Sequence, residues 1–178
     1  VRNLREHLSS LLDGAPDHDY IVGWLDCIAG GKSLGRGQIH ATRYLHEGED
    51  PNPQETMKIN NQVLPPRIFG VFPKSMLHFF MAPFMNNIGV WGVNTAKYIA
   101  SLRKHTFRQS HAAFHFLLDY VPDWELSYGR RGLIQYQSFI PKESAEAAWT
   151  EMIKLSHKNG LPSYLGVTKR HRPDKFLL

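Results

Sequence analysis

The order of elements along the chain predicts an α+β fold: a mostly antiparallel sheet covered on one face by helices. Three observations carry this. Two segments, Asn3 to Asp13 and Glu143 to Lys158, repeat apolar residues at helical spacing. Short apolar and aromatic runs bounded by Gly, Pro and Asp read as strands. Their sequence is helix, strand, strand, irregular segment, strand, strand, helix, strand, with no internal repeat.

In the first segment Leu4, Leu8, Leu11 and Leu12 fall on one helical face, and Gly14 with Pro16 stops the helix. Tyr20 to Ile28 reads as a strand, Gly30 to Gly37 as a glycine-rich turn, and Gln38 to Leu45 as a second strand, which together make a hairpin. His46 to Pro66, with four prolines among polar residues, reads as an extended surface loop. From Ile68 to Arg103 the apolar residues follow neither period, and the Pro, Gly and Asn content predicts irregular structure with short helices. Ser110 to Asp119 and Gly132 to Ile140 each suit a strand, the second ended by Pro141, which has no amide hydrogen to give a ladder. In the second helix Ala145, Ala148, Trp149, Met152, Ile153 and Leu155 form a broad apolar face, and Gly160 caps the end. Pro162 to Lys169 follows as a strand. The last unit is then strand, helix, strand, with a right-handed crossover if its two strands are parallel.

At 178 residues, with 42% hydrophobic and 21% charged, the chain can bury a core and is not a disordered tract. We read it as a single domain over 1–178 with an irregular excursion at about 46–108. A formal charge of +5 and a pI near 9.4 invite a polyanion, but the basic residues are scattered. A solvated basic surface is the plainer reading, and nucleic acid is not the expected partner. The lone Cys27 excludes an internal disulfide and fits a reducing, cytoplasmic setting; its apolar surroundings predict a buried inert thiol. Ser75 to Ala96 contains no Asp, Glu, Lys or Arg, yet His78, Pro83, Asn86, Asn87 and Asn94 suit a lipid-facing helix badly. A buried or membrane-touching aromatic loop is expected there, so a membrane-surface contact stands among the expected partners. The opening Val1-Arg2-Asn3 suggests a start partway through a longer protein.

Two familiar motifs fail. Gly31-Lys32-Ser33 resembles the end of a phosphate loop, but its first glycine would fall at Asp26. His111 and His115 are four apart without a recognisable third ligand, so no metal is expected. In a strand, Gln135 and Gln137 point to the same face. Two such amides suit a polyhydroxylated ligand, or they simply face solvent; the strand alone does not choose.

The run Phe114-His115-Phe116-Leu117-Leu118-Asp119, then Trp124, then Tyr128 through Pro141, closely resembles the decaprenylphosphoryl-ribose oxidase family of FAD-linked oxidoreductases. Ser163-Tyr164-Leu165-Gly166-Val167-Thr168-Lys169 is similar to that family's strand ending in lysine. Tyr20 to Asp26 and Leu34-Gly35-Arg36-Gly37 are similar to its earlier hairpin. Kinship with sugar-lactone oxidases, alditol oxidases and the sterol side-chain reductase is implied more distantly.

The resemblance implies a ferredoxin-like substrate-binding (cap) domain, with FAD bound mainly by a domain elsewhere in the same polypeptide. It further implies an alcohol carbon of a sugar-like or lipid-linked substrate as the hydride donor, and a chain inactive by itself. Lys169 would lie at the flavin and substrate as a catalytic and cofactor-binding residue. Gln135 and Gln137 would hold sugar hydroxyls, while Trp24, His115, Leu118 and Leu165 would line the substrate pocket. A surface role for Lys169 and core roles for Trp24, Leu118 and Leu165 are the alternatives. His115 stands where relatives present tyrosine, and Phe116-Leu117 replaces a His-Pro pair. Two rival functions are a basic α+β module that binds RNA on its sheet and a regulatory module that retains the fold without chemistry.

Overall fold

The computed structural model describes residues 1–14, 17–64, 66–68, 70–103, 106–116 and 122–171. In chain order these form α1 (Leu4–Asp13), β1 (Tyr20–Leu25), β2 (Gly37–Thr42), α2 (Pro53–Thr56), α3 (Ile59–Gln62), β3 (Arg67–Ile68), β4 (Phe72–Pro73), α4 (Leu77–Met81), α5 (Asn87–Ala100), α6 (His111–His115), α7 (Ala145–Lys158) and β5 (Gly166–Lys169). Two compact units result. The first comprises Val1–Tyr44, Val90–Leu102 and Ser138–Leu178; the second comprises Leu45–Gly89 and Arg103–Gln137.

In the first unit, Asn3 caps α1 by accepting the amide of Glu6 at 2.9 Å. The sheet has the order β2-β1-β5, antiparallel throughout, which establishes the α+β class. Alternation along β1 sends Leu25 and Gly23 to one face and Trp24 and Val22 to the other. On the Leu25 face the core joins Leu4 and Leu8 of α1, Cys27, and Ala145 and Ile153 of α7, with Leu34, Ile140 and Trp149 packed around it. Each fully buried Leu or Ile there stabilises by roughly 1.5–3 kcal/mol.

The same face also buries two polar residues, His7 and Thr168. His7 is fully shielded from solvent, and its ring lies on the backbone of β1 and β2 where both strands carry glycine. A Cβ at Gly23 would stand 2.4 Å from His7 Nε2, and one at Gly37 would stand 3.0 Å from its Nδ1. Thr168 Oγ1 donates to the Gly23 carbonyl at 3.3 Å and lies 2.7 Å from His7 Nε2, so the ring nitrogen donates to the hydroxyl. Nδ1 then carries no proton, and among the described residues it has no hydrogen-bond partner. Burial holds the imidazole neutral, with its pKa pushed down to about 4.

Opposite, the α5 residues of this unit lie against the Trp24 face. The anchor is Asp26, 1% exposed, just beyond the end of β1. Its Oδ2 accepts Arg36 Nε at 2.9 Å, and its Oδ1 accepts Asn94 Nδ2 at 2.9 Å and the amide of Ile28 at 3.1 Å. Arg36 reaches onward to Thr95 Oγ1 at 2.8 Å, with its guanidinium 4.7 Å from the centre of the Tyr98 ring.

The second unit is built from short pieces. Pro53 opens α2, and β3 pairs with β4 in a two-residue hairpin. Phe72 and Phe80 meet edge to face at 6.3 Å. α4 packs against the 3-10 segment Trp124–Arg131.

Several sequence expectations are corrected. His46 to Pro66 is not wholly extended, because α2 and α3 each add a turn of helix. The irregular region contains a fourteen-residue helix, α5, whose N-terminus Asn86 caps by accepting the amide of Gly89 at 2.9 Å. Ser110 to Asp119 is not a strand where described: Ser110 Oγ accepts the amide of Ala113 at 3.2 Å and opens α6, while 117–121 lie outside the described residues. Gly132 to Ile140 is not a strand either. A strand needs a partner's amides and carbonyls, and among the described residues none pairs with 133–140. Without a strand at 132–140 the expected strand, helix, strand unit does not form, so its conditional crossover does not arise, and β5 joins the sheet antiparallel to β1.

Two outcomes are expected. Gly23→Ala forces its Cβ to within 2.2 Å of Thr168 Oγ1 and should lower unfolding free energy by about 2–4 kcal/mol in urea titrations. The folded pKa of His7 is depressed, so its contribution is complete above the unfolded value of about 6.5 and declines as pH falls towards about 4. Urea melts across that window should lose about 3 kcal/mol, and His7→Gln should remove this part of the slope.

Candidate functional site

Directly opposed residues in an antiparallel ladder share a face. Trp24 stands opposite Gln38 on β2 and Val167 on β5, and Val22 stands opposite His40 and Lys169. The Trp24 face therefore carries Gln38, His40, Val167 and Lys169 in one patch. Strand spacing puts the backbones of His40 and Lys169 roughly 10 Å apart across Val22.

From α5, Lys97 Nζ sits 4.1 Å above the centre of the Trp24 ring, a cation–π contact that seals the indole. Gln38 Nε2 donates to the Lys97 carbonyl at 3.0 Å, and its Oε1 lies 3.3 Å from His40 Nε2. Burial, and then the Lys97 charge, lowers the His40 pKa; burial lowers that of Lys97. Both groups thereby move towards their neutral forms, and an anion arriving at the patch would reverse this. Trp24 is 6% exposed and acts as a floor, whereas Lys169 is exposed at the end of the edge strand. Among the described residues its ammonium makes no ion pair. Around the sealed indole the arrangement offers cationic and amide donors, suited to an oxygen-rich or anionic ligand group.

Of the residues assigned from sequence, Trp24 and Lys169 are brought to this face. Leu165, 43% exposed, lies just before β5 and is not core. Gln135 and Gln137 are exposed residues of the second unit on the unpaired 132–140 segment, so the strand alternation that gave them a common face does not apply. His115 ends α6 in that unit, its ring 4.1 Å from that of His111. Leu118 lies outside the described residues. Among the described residues no group of three metal-ligating side chains is present. Cys27 is sealed at 3% exposure, with burial and the neighbouring Asp26 pushing its pKa up to about 12.

His40, Gln38 and Lys97 were not singled out from sequence. Alternation in the second hairpin strand could have placed Gln38 and His40 on one face, but the register opposite Trp24 is a tertiary fact. A depression along α7, lined by Glu146, Thr150, Lys154 and Lys158, contains none of these groups.

Comparison with known proteins finds a distant relationship to an oxidase. The chain is 25% identical over 175 residues to decaprenylphosphoryl-beta-D-ribose oxidase of Mycolicibacterium smegmatis. That alignment takes in 96% of the chain and 36% of the oxidase, so the chain spans about a third of that protein's length. No family model matches the chain. No solved structure matches it.

The coupling within the patch is measurable. Lys97→Met should raise the His40 pKa part of the way back to its ordinary value, burial continuing to hold it down, as followed by NMR titration of the imidazole carbons.

Proposed function

We propose that this chain is the substrate-binding part of an FAD-dependent oxidoreductase acting on an alcohol carbon of a sugar-like or lipid-linked substrate. The observation that supports this best is the shared face of Trp24 and Lys169 in a chain aligned over 96% of its length with an oxidase. The donor chemistry of the face fits a flavin: the exposed Lys169 ammonium can bind an oxygen of such a ring system. When bound, FAD supplies the hydride acceptor, and its binding falls mainly to a domain outside this chain.

What this chain's residues contribute is binding and charge. Lys169 would bind an oxygen of flavin or substrate, and as a fixed cation it would stabilise negative charge developing there. Trp24, buried beneath Lys97, would support the patch from below. His40, with its pKa lowered and its Nε2 donating to Gln38 Oε1, would have Nδ1 available to accept a hydroxyl proton. Gln135 and Gln137, exposed and carrying both donor and acceptor atoms, would hold sugar hydroxyls. Leu165, exposed just before β5, would add to the lining.

The test uses the polypeptide that carries this chain together with its flavin domain. It should purify with a flavin absorbance spectrum, and Lys169→Ala should cut turnover by at least about tenfold with flavin content retained. A protein that binds no flavin, or a Lys169→Ala variant with unchanged turnover, refutes the assignment.

A further inference from the structure

Lys169 is the last residue of β5, and among the described strands β5 has β1 alone as a neighbour. A four-residue strand at a sheet edge frays at its end unless something besides the ladder ties it down. Two ties are present, one on each side of Lys169. Thr168 is 5% exposed, and its hydroxyl donates to the Gly23 carbonyl of β1 while accepting His7 Nε2 from α1. Arg170 Nη1 donates to the Leu12 carbonyl at 3.2 Å, near the C-terminal end of the same helix. The chain on either side of Lys169 is thus fastened to α1. Alternation leaves the Lys169 side chain on the opposite face of the sheet, with Trp24.

The chemistry of the inner tie is informative. Valine and leucine would fill the space of Thr168 and His7 without the desolvation cost of a buried hydroxyl and imidazole. What the polar pair adds is direction. A hydroxyl that must meet one donor and one acceptor has a single orientation, and the backbone that carries it is fixed with it. The strand gives up a side chain to allow this. A Cβ at Gly23 would stand 2.2 Å from Thr168 Oγ1 and 2.4 Å from His7 Nε2, so the position is held by glycine, a residue that weakens a strand interior. Hydrogen bonds behind a functional side chain are what hold it within about 0.5 Å of its working position.

We infer that His7, Thr168 and Arg170 are positioning residues for Lys169: they lock the end of β5 to α1, so that the ammonium is presented at a fixed place on the Trp24 face. The catalytic consequence rests on the reading above, in which that ammonium meets flavin or substrate. The clamp itself does not.

The clamp is tested on this chain by 15N relaxation. The order parameter of the Lys169 amide should fall from about 0.85, the value of rigid backbone, to below about 0.6 in Thr168→Val. That of Leu25 should stay unchanged, and Thr168→Ser should keep Lys169 ordered. A Lys169 order parameter that Thr168→Val leaves unchanged overturns the inference. The consequence is tested in the polypeptide that carries this chain together with its flavin domain. Thr168→Val should lower kcat by about tenfold with KM within about twofold and flavin content retained, and Thr168→Ser should recover most of the loss. Arg170→Gln, at an exposed position that puts the fold at little risk, should lower kcat several-fold and serves where Thr168→Val does not fold. In a Lys169→Ala background neither substitution should cost more than about a further twofold, because residues that act through one another are not additive. Losses that multiply in that background mark a stability effect and overturn the inference, as does unchanged turnover of both variants. A polypeptide without flavin refutes the proposed chemistry, while loss of order at Lys169 leaves the clamp standing.

Discussion

A carboxylate sealed from water is tolerated only where donors replace its hydration, and Asp26 satisfies this through three stretches of chain. The loop after β1 supplies the amide of Ile28, the turn before β2 supplies Arg36, and α5 supplies Asn94. Removing one partner of such a buried set typically costs about 3–5 kcal/mol, because the remaining charge is left unmatched. Asp26 therefore fixes where α5 meets the sheet. Thr95, Lys97 and Tyr98 are positioned as a consequence, and Lys97 reaches the Trp24 ring because Asn94 is tied three residues earlier.

The two faces of the sheet serve different ends, and one ladder sets both. Gly23 and Gly37 clear space for His7 on the core side, where a neutral imidazole and the Thr168 hydroxyl form a short buried relay to a strand carbonyl. The neighbours of these residues in the alternation, Trp24 and Gln38, meet Lys97 on the other side. A one-residue slip of β1 would bury Trp24 against α1 and expose Leu25, so the packing of the core also holds the register of the candidate site.

Much of the first unit was legible from its residues. Leucine spacing marked α1, the Gly30 to Gly37 turn marked the hairpin, and the apolar face of α7 was clear, because in each case local pattern and tertiary burial agree. The second unit was less legible. Ser110 has the composition of a strand start around it, but its side chain caps a helix. The Gly132 to Ile140 segment has strand composition but no partner, and pairing is a property of two segments rather than one. Asn94 reads in the sequence as a polar residue unsuited to a membrane helix, and it is the residue that docks α5 on Asp26.

The sequence alone determined the α+β class, the amphipathic helices and the lysine at the end of the last strand, since these follow from local periodicity and composition. It also determined the uncharged run from Ser75 to Ala96, which no folding can alter. Only the tertiary structure decided that Trp24, His40 and Lys169 share a face, that Lys97 covers the indole, and that Thr168 and Arg170 tie the last strand to α1. Those facts depend on strand register and on which donors reach a buried carboxylate, interactions between residues distant in the chain that leave no local periodicity to read.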